Sequence, residues 1–211
     1  KDCIEDIREI ANDSNLLSYI NSFVHPYNSF NNITFDFDGD ISLEITNNKI
    51  YTDKEIEEIN KKVDEVIKAK IKFNMNDRER IKIIHDYIID NTKYDTLKNI
   101  NIKDTTYESN TAYGVLFQGY GICSGYADAM AIFLTKLGYI NYKISNESHI
   151  WNLVLLDGTW YHIDLTWDDP VYTNVDINKI EYDYFLKTTD ELRETKDKEH
   201  TFNEIIYAEA K

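Results

Sequence analysis

Cys123 stands where a glycine-punctuated loop, Gly119-Tyr120-Gly121-Ile122, meets an apolar stretch opened by Ser124-Gly125-Tyr126-Ala127. If that stretch is a helix, the thiol lies at its N-terminus, beside unpaired backbone N–H groups and the positive end of the helix dipole. Both favour thiolate over thiol, and the same N–H groups can receive an oxyanion. Gly119, Gly121 and Gly125 remove side-chain bulk from the approach, so a substrate backbone can lie close to the sulfur. The chemistry suggested is nucleophilic. The ordinary reading of a lone cysteine is a small buried hydrophobe, so the stretch does not decide alone. A nucleophile needs a base, and the base needs an orienter.

Two histidines and a carboxylate supply that test. Residues 149–156 and 160–166 read as strands joined by Asp157-Gly158, a two-residue hairpin signal. With those two residues as the turn, Leu156 pairs with Thr159, His149 faces Thr166, and Asp164 faces Trp151. Cross-strand partners share a face and so do residues two apart, which makes His149 and Asp164 diagonal neighbours. Moving the turn by one residue keeps them together, whereas a three-residue loop separates them. His162 shares the same face, two residues from Asp164. Parity therefore leaves both histidines open as the base, with Asp164 fixing the imidazole tautomer.

The elements that must position these groups are readable in order. Ile4, Ile7, Ile10, Leu16, Leu17 and Ile20 give helical spacing over residues 3–23, and residues 34–45 alternate as two short strands around Asp38-Gly39. Asp36, Asp38 and Asp40 do not form a calcium loop, because the glycine falls between the second and third acids and no closing glutamate follows. Thr52 with Glu55 and Asn76 with Glu79 are capping-box patterns that open amphipathic helices over 52–71 and 76–91. His85 lies on the second helix among Ile81, Ile84 and Ile88 and reads as a packed structural histidine. Residues 92–108 read as loop. A helix over 123–137, ended by Gly138, precedes strands at 139–145, 149–156 and 160–166. Residues 182–186 are aromatic, 190–199 read as a solvated charged face or loop, and 202–210 as a final strand.

Composition bounds the rest. A chain of 211 residues, 42% hydrophobic with Tyr 16, Phe 9 and Trp 3, can build one well-buried core, and two prolines with seven glycines leave little for disordered linkers. A net charge of -15 disfavours nucleic acid and anionic membranes as partners. Cys3 and Cys123 form neither a disulfide framework nor a zinc-site spacing, and the histidines form no ligand-spaced cluster, so neither a metal nor an organic cofactor is expected. No apolar run has the length of a membrane span and no signal peptide opens the chain. The start, Lys1-Asp2-Cys3, reads as the cut end of a longer protein. An extracellular or cell-surface location, with its signal upstream, is the expectation.

The order Gly-Ile-Cys123-Ser-Gly-Tyr-Ala, then His149-Ile-Trp-Asn, then Trp160-Tyr-His-Ile-Asp164-Leu-Thr-Trp-Asp-Asp-Pro170 resembles the transglutaminase-like superfamily in its bacterial type, papain-related in fold. The resemblance runs from the helix at Asn76, through the segment ending at Tyr94, to the aromatic stretch at Phe185. It implies an α+β fold with the cysteine helix packed on an antiparallel sheet. It also implies Cys123 as nucleophile, His149 as general base and acid, and Asp164 as orienter, which would set His162 aside. Residues 1–50 then form an N-terminal extension and 51–211 the catalytic domain. The implied reaction is acyl transfer on protein or peptide amides through a thioester resolved by water or by an amine, with hydrolysis the default. The backbone N–H of Cys123 is the first oxyanion donor and Gln118 a second, although its offset of five differs from the six usual in papain-like enzymes. Tyr120, Trp151 and Trp167 are candidates to line the acyl groove, with at least one tryptophan expected in the core. The alternative is a non-catalytic interaction module of the same fold at a cell surface or wall.

Overall fold

The computed structural model describes residues 5, 6, 9, 13–38, 42–171, 179–207 and 210. Cys3 and the turn residues Gly39 and Asp40 lie outside them. Helix α1 (Ser14–Ser22) leads through a 3-10 turn at Pro26–Asn28 into the hairpin β1 (Phe30–Asp38) and β2 (Ser42–Lys49), longer at both ends than the predicted 34–45. Helices α2 (Asp53–Lys70) and α3 (Asp77–Asp90) each start at a capping box, from Thr52 with Glu55 and from Asn76 with Glu79. Each box satisfies two otherwise orphaned N–H groups, which is why sequence located both starts to within a residue.

The expected loop over 92–108 instead contains β3 (Lys93–Tyr94) and the short helix α4 (Thr96–Ile100), capped by Asp95, whose carboxylate accepts the Lys98 N–H at 3.0 Å. Leu97 and Ile100 are exposed, so this helix has no apolar stripe for periodicity to detect. A π-helical turn, Gly114–Gln118, ends at Gly119 with φ +72°, a left-handed conformation that favours glycine. It delivers β4 (Tyr120–Gly121), paired parallel to β3, and then helix α5 (Cys123–Lys136).

Helix α5 is the centre of the molecule. Every residue from Gly125 to Leu134 is buried, the pattern of a helix enclosed on all sides. It packs against α2 and α3 and against an antiparallel sheet ordered β5 (Asn141–Ser145), β6 (Ile150–Leu156), β7 (Thr159–Ile163), β8 (Phe185–Lys187). Val154, Leu156 and Ile163 join Met130 and Phe133 in the main core on that side. Asp128 of α5 is also buried there. It binds Lys143 Nζ of β5 at 2.5 Å and accepts the Tyr51 hydroxyl at 2.6 Å, while the Tyr51 oxygen accepts the Ala112 N–H at 2.8 Å. Such a charge is tolerated because it is paired, and its pairing fixes the helix against the sheet.

On the opposite sheet face, Ile144, Trp151 and Leu153 form a second core with Tyr207 and Ala210, flanked by Tyr19, Tyr142, Trp160 and Phe202. The hairpin turn takes φ 51° at Asp157 and 82° at Gly158, with Leu156 paired to Thr159 as the two-residue reading requires. Strand β6 begins at Ile150, one residue after His149. Strand β7 stops at Ile163 because the Asp164 side chain takes the N–H groups of Thr166 (2.8 Å) and Trp167 (3.3 Å), turning the chain away.

Two C-terminal expectations are corrected. The charged run holds helix α6 (Thr189–Glu194), opened by a third capping box from Thr188 and Glu191. Residues 202–210 form no strand among the described residues; Phe202 and Tyr207 instead cover the second sheet face with their rings.

Candidate active site

Cys123 is the first residue of α5. Ile122, the residue before it, is extended and offers no side-chain cap, so the N–H groups of the first turn point out unmatched by any cap. The thiol is free and half-buried. The 109–111 segment holds this end of the helix: Ser109 O accepts the Ile122 N–H at 2.8 Å, and Asn110 O accepts the Ser124 hydroxyl at 3.1 Å. Here the glycine expectation changes. A Cβ on Gly125 would lie 2.3 Å from Ser109 O and 3.0 Å from Thr111 O, so the missing side chain admits the protein's own backbone rather than a substrate.

His149 precedes β6 and Asp164 follows β7, and the two meet where the sheet ends. His149 Nε2 donates to Asp164 Oδ2. Burial pushes the His149 pKa down, but the Asp164 carboxylate and a hydrogen bond with the Cys123 side chain outweigh it and lift the value to about 10. With Nε2 committed to Asp164, Nδ1 is the nitrogen left for the sulfur. Asp164 itself is fully buried. Burial disfavours its charge, yet His149 and then His200 hold it well below the usual carboxylate range. His149 and Asp164 are thus paired at the end of the sheet, and Cys123 is close enough to contribute to the raised His149 pKa.

His162 is placed differently. Its Nδ1 accepts the Trp151 indole N–H at 3.0 Å and its Nε2 meets Thr189 Oγ1 at 3.0 Å, so neither nitrogen is open to the thiol. Burial pushes its pKa down to about 3 and it stays neutral. Trp151 is 1% exposed and lies parallel to His149, ring centroids 5.7 Å apart at 19°. It is a floor under the histidine, and the groove-wall role expected of it falls away. Trp167 is half-buried and packs on Tyr184 and His200, at 5.2 and 5.3 Å between centroids. Tyr120 stacks on Tyr107 at 3.9 Å, clamping the 101–107 segment beside β4. Gln118 Oε1 accepts the Glu108 N–H at 2.7 Å, which leaves its amide NH2 as the donor end.

Two groups escaped sequence reasoning. His200 places Nε2 at 2.8 Å from the same Asp164 Oδ2 that serves His149. Tyr94, carried to Gly121 by the parallel β3–β4 pair, has its pKa pushed up to about 12 by burial and by the nearby Cys123, Glu199, Asp164 and Asp95. The β3–β4 pairing that carries Tyr94 there is too short for a strand pattern. His85 is buried between Asp168 Oδ2 (3.2 Å) and Asp86 Oδ1 (3.0 Å) and ties α3 to the loop after Asp164, a structural role with carboxylates the sequence had not placed.

His149, Asp164 and His200 offer ligand atoms all within 4.8 Å of one another, close enough for a metal ion. Both Nε2 atoms, however, engage Asp164 Oδ2 directly, and a metal ion would have to displace both of those bonds.

Residues 64–165 match the profile of the Transglutaminase-like superfamily. No curated protein matches the chain. Among solved structures, a crystal structure of a TGase covers 73% of this chain and 48% of its own, with a TM-score of 0.50 and 16% identity. A protein from Cytophaga hutchinsonii proposed to be a cysteine protease covers 56% and 43%, with a TM-score of 0.38 and 17% identity. The chain spans about half the length of the TGase it matches, and at that identity the likeness speaks for the fold alone. The fold is the expected α+β arrangement, a cysteine-bearing helix on an antiparallel sheet. Residues 64–165, which include Cys123, His149 and Asp164, match a transglutaminase-like domain.

Proposed function

We propose that this domain performs thiol-dependent acyl transfer on protein or peptide amides, with Cys123 as nucleophile, His149 as general acid and base, and Asp164 as its orienter. What supports this reading is the His149–Asp164 pair at the end of the sheet, with Asp164 buried and ionised and Cys123 among the groups that raise the His149 pKa. The Cys123 thiolate attacks the amide carbonyl, and the oxyanion draws on the Cys123 N–H, with the Gln118 NH2 as a second donor. As the intermediate collapses, the C–N bond breaks, protonated His149 gives its proton to the leaving amine, and a thioester remains. His149, now neutral, takes a proton from water or an incoming amine as it attacks, and Cys123 is released. The half-exposed thiol is open to water, which favours hydrolysis over cross-linking.

The test is alkylation of Cys123 by iodoacetamide in a Cys3→Ser background, followed over pH in the parent, His149→Ala and Asp164→Asn proteins. Rapid reaction extending well below the pH at which a free thiol reacts, and slowed by both changes, supports a working pair. A free-thiol profile indifferent to both changes overturns the proposal and leaves a non-catalytic module. Peptide substrates tried with and without an added primary amine then separate hydrolysis from transfer.

A further inference from the structure

The carboxylate of Asp164 is saturated. Oδ1 takes two backbone N–H groups, from Thr166 and Trp167, and Oδ2 takes two imidazoles, His149 and His200. The second imidazole comes from beyond the region matched by the family profile, 36 residues along from Asp164. It is itself firmly held. Asp197 Oδ1 accepts the His200 backbone N–H and lies beside its Nδ1, each at 2.9 Å, while Asp197 Oδ2 accepts the hydroxyls of Thr195 (2.6 Å) and Tyr184 (3.3 Å). The ring lies parallel to Tyr184 at 4.5 Å and 19°, with the edges of Trp151 and Trp167 against it at 5.0 and 5.3 Å. A side chain bonded at both nitrogens and boxed by three aromatic rings has little rotational freedom.

We propose that His200 is a positioning residue: its Nε2–H, donated to Asp164 Oδ2, fixes the carboxylate so that Asp164 holds the His149 ring against Cys123. The inference rests on the catalytic reading above. A buried carboxylate with one acceptor site left empty loses both orientation and part of what keeps it charged. His200 fills that site and acts on the reacting pair through Asp164, its ring also meeting the His149 ring edge to face at 5.2 Å between centroids.

The experiment compares iodoacetamide alkylation of Cys123, at one pH on the acid limb of the parent's profile, in Cys3→Ser protein and in the added variants His200→Phe, His200→Gln and His149→Ala, with thermal melting of each. Phenylalanine keeps the ring and removes the donor, whereas glutamine returns an N–H near the Nε2 position. The expected result is a roughly tenfold slowing in His200→Phe, the effect of about one pKa unit on the partner, and a rate within about twofold of the parent in His200→Gln. If His149→Ala slows the reaction but His200→Phe does not, or if Phe and Gln slow it equally, the role of His200 is overturned and the catalytic reading stands. If His149→Ala has no effect either, the catalytic reading falls and takes this inference with it. Should His200→Phe fail to fold, ring-nitrogen NMR of the 15N-histidine-labelled parent decides. A slowly exchanging Nε2–H on His200 supports the proposal, and an unprotonated Nε2 overturns it.

Discussion

Trp151 gives its indole N–H to His162 Nδ1 at 3.0 Å, and that nitrogen can accept only while His162 is neutral. The proton therefore sits on Nε2, facing Thr189 Oγ1. One hydrogen bond fixes the tautomer of the second histidine on this face and the height of the ring under the first.

The two histidines give opposite pH dependence to stability. His162 folds with its pKa pushed from an ordinary 6.5 down to about 3, so its contribution is present above pH 6.5 and is lost as pH falls towards 3. His149 is raised to about 10, so its contribution is complete below pH 6.5 and is lost as pH rises towards 10. Stability should peak near neutrality and decline on both sides. Urea unfolding across this range measures it, and His162→Asn should flatten the acid side between pH 6.5 and about 4, above the range where ordinary carboxylates titrate. An acid side that is unchanged in that variant would rule out His162 as its source.

Gly125→Ala puts a methyl group 2.3 Å from Ser109 O, a backbone atom that cannot swing aside. The expected loss is about 1–3 kcal/mol, with displacement of the helix end that carries Cys123. Gly138→Ala is the control: nothing lies within 4 Å of its Cβ, and only its φ of +88° opposes the change, at about 1 kcal/mol. Denaturant midpoints order the two. Equal losses would mean that the 109–111 segment yields easily.

Lys143→Met removes the cation that pairs with buried Asp128 at 2.5 Å and leaves the carboxylate, among the described residues, with the Tyr51 hydroxyl as its hydrogen-bond donor. Losing one partner of a buried pair costs about 3–5 kcal/mol, far above an exposed pair such as Lys54–Glu58. Lys54→Met should change stability by less than about 0.5 kcal/mol. Parallel urea titrations compare them, and similar small effects would show that Lys143 does not hold the helix to the sheet.

What sequence revealed follows from the range of the forces involved. The capping boxes at Thr52 and Asn76, the Asp157-Gly158 turn and the pairing of Leu156 with Thr159 are local, and each was readable from a few adjacent residues. The meeting of His149 with Asp164 was readable because a tight hairpin converts position into face. Thr188 with Glu191 carried the same capping signal as the other two, but the charged run around it had no apolar stripe and the helix passed for loop. Strand β8 spans three residues and offers no pattern. His200 was illegible for another reason: its place against Asp164 depends on how the C-terminal segment folds back, which no neighbouring residue encodes.

The second sheet face bears on how the protein can be divided for expression. A fragment trimmed to the profile match at 64–165 would lose β8, leaving β7 as a bare edge strand, and would strip Phe202 and Tyr207 from above Trp151 and Leu153. It would also discard His200 while retaining all three proposed catalytic groups. Such a fragment should be sticky, adding strands edge to edge and gluing aromatic faces together. Its failure to show activity would say nothing about the chemistry of Cys123.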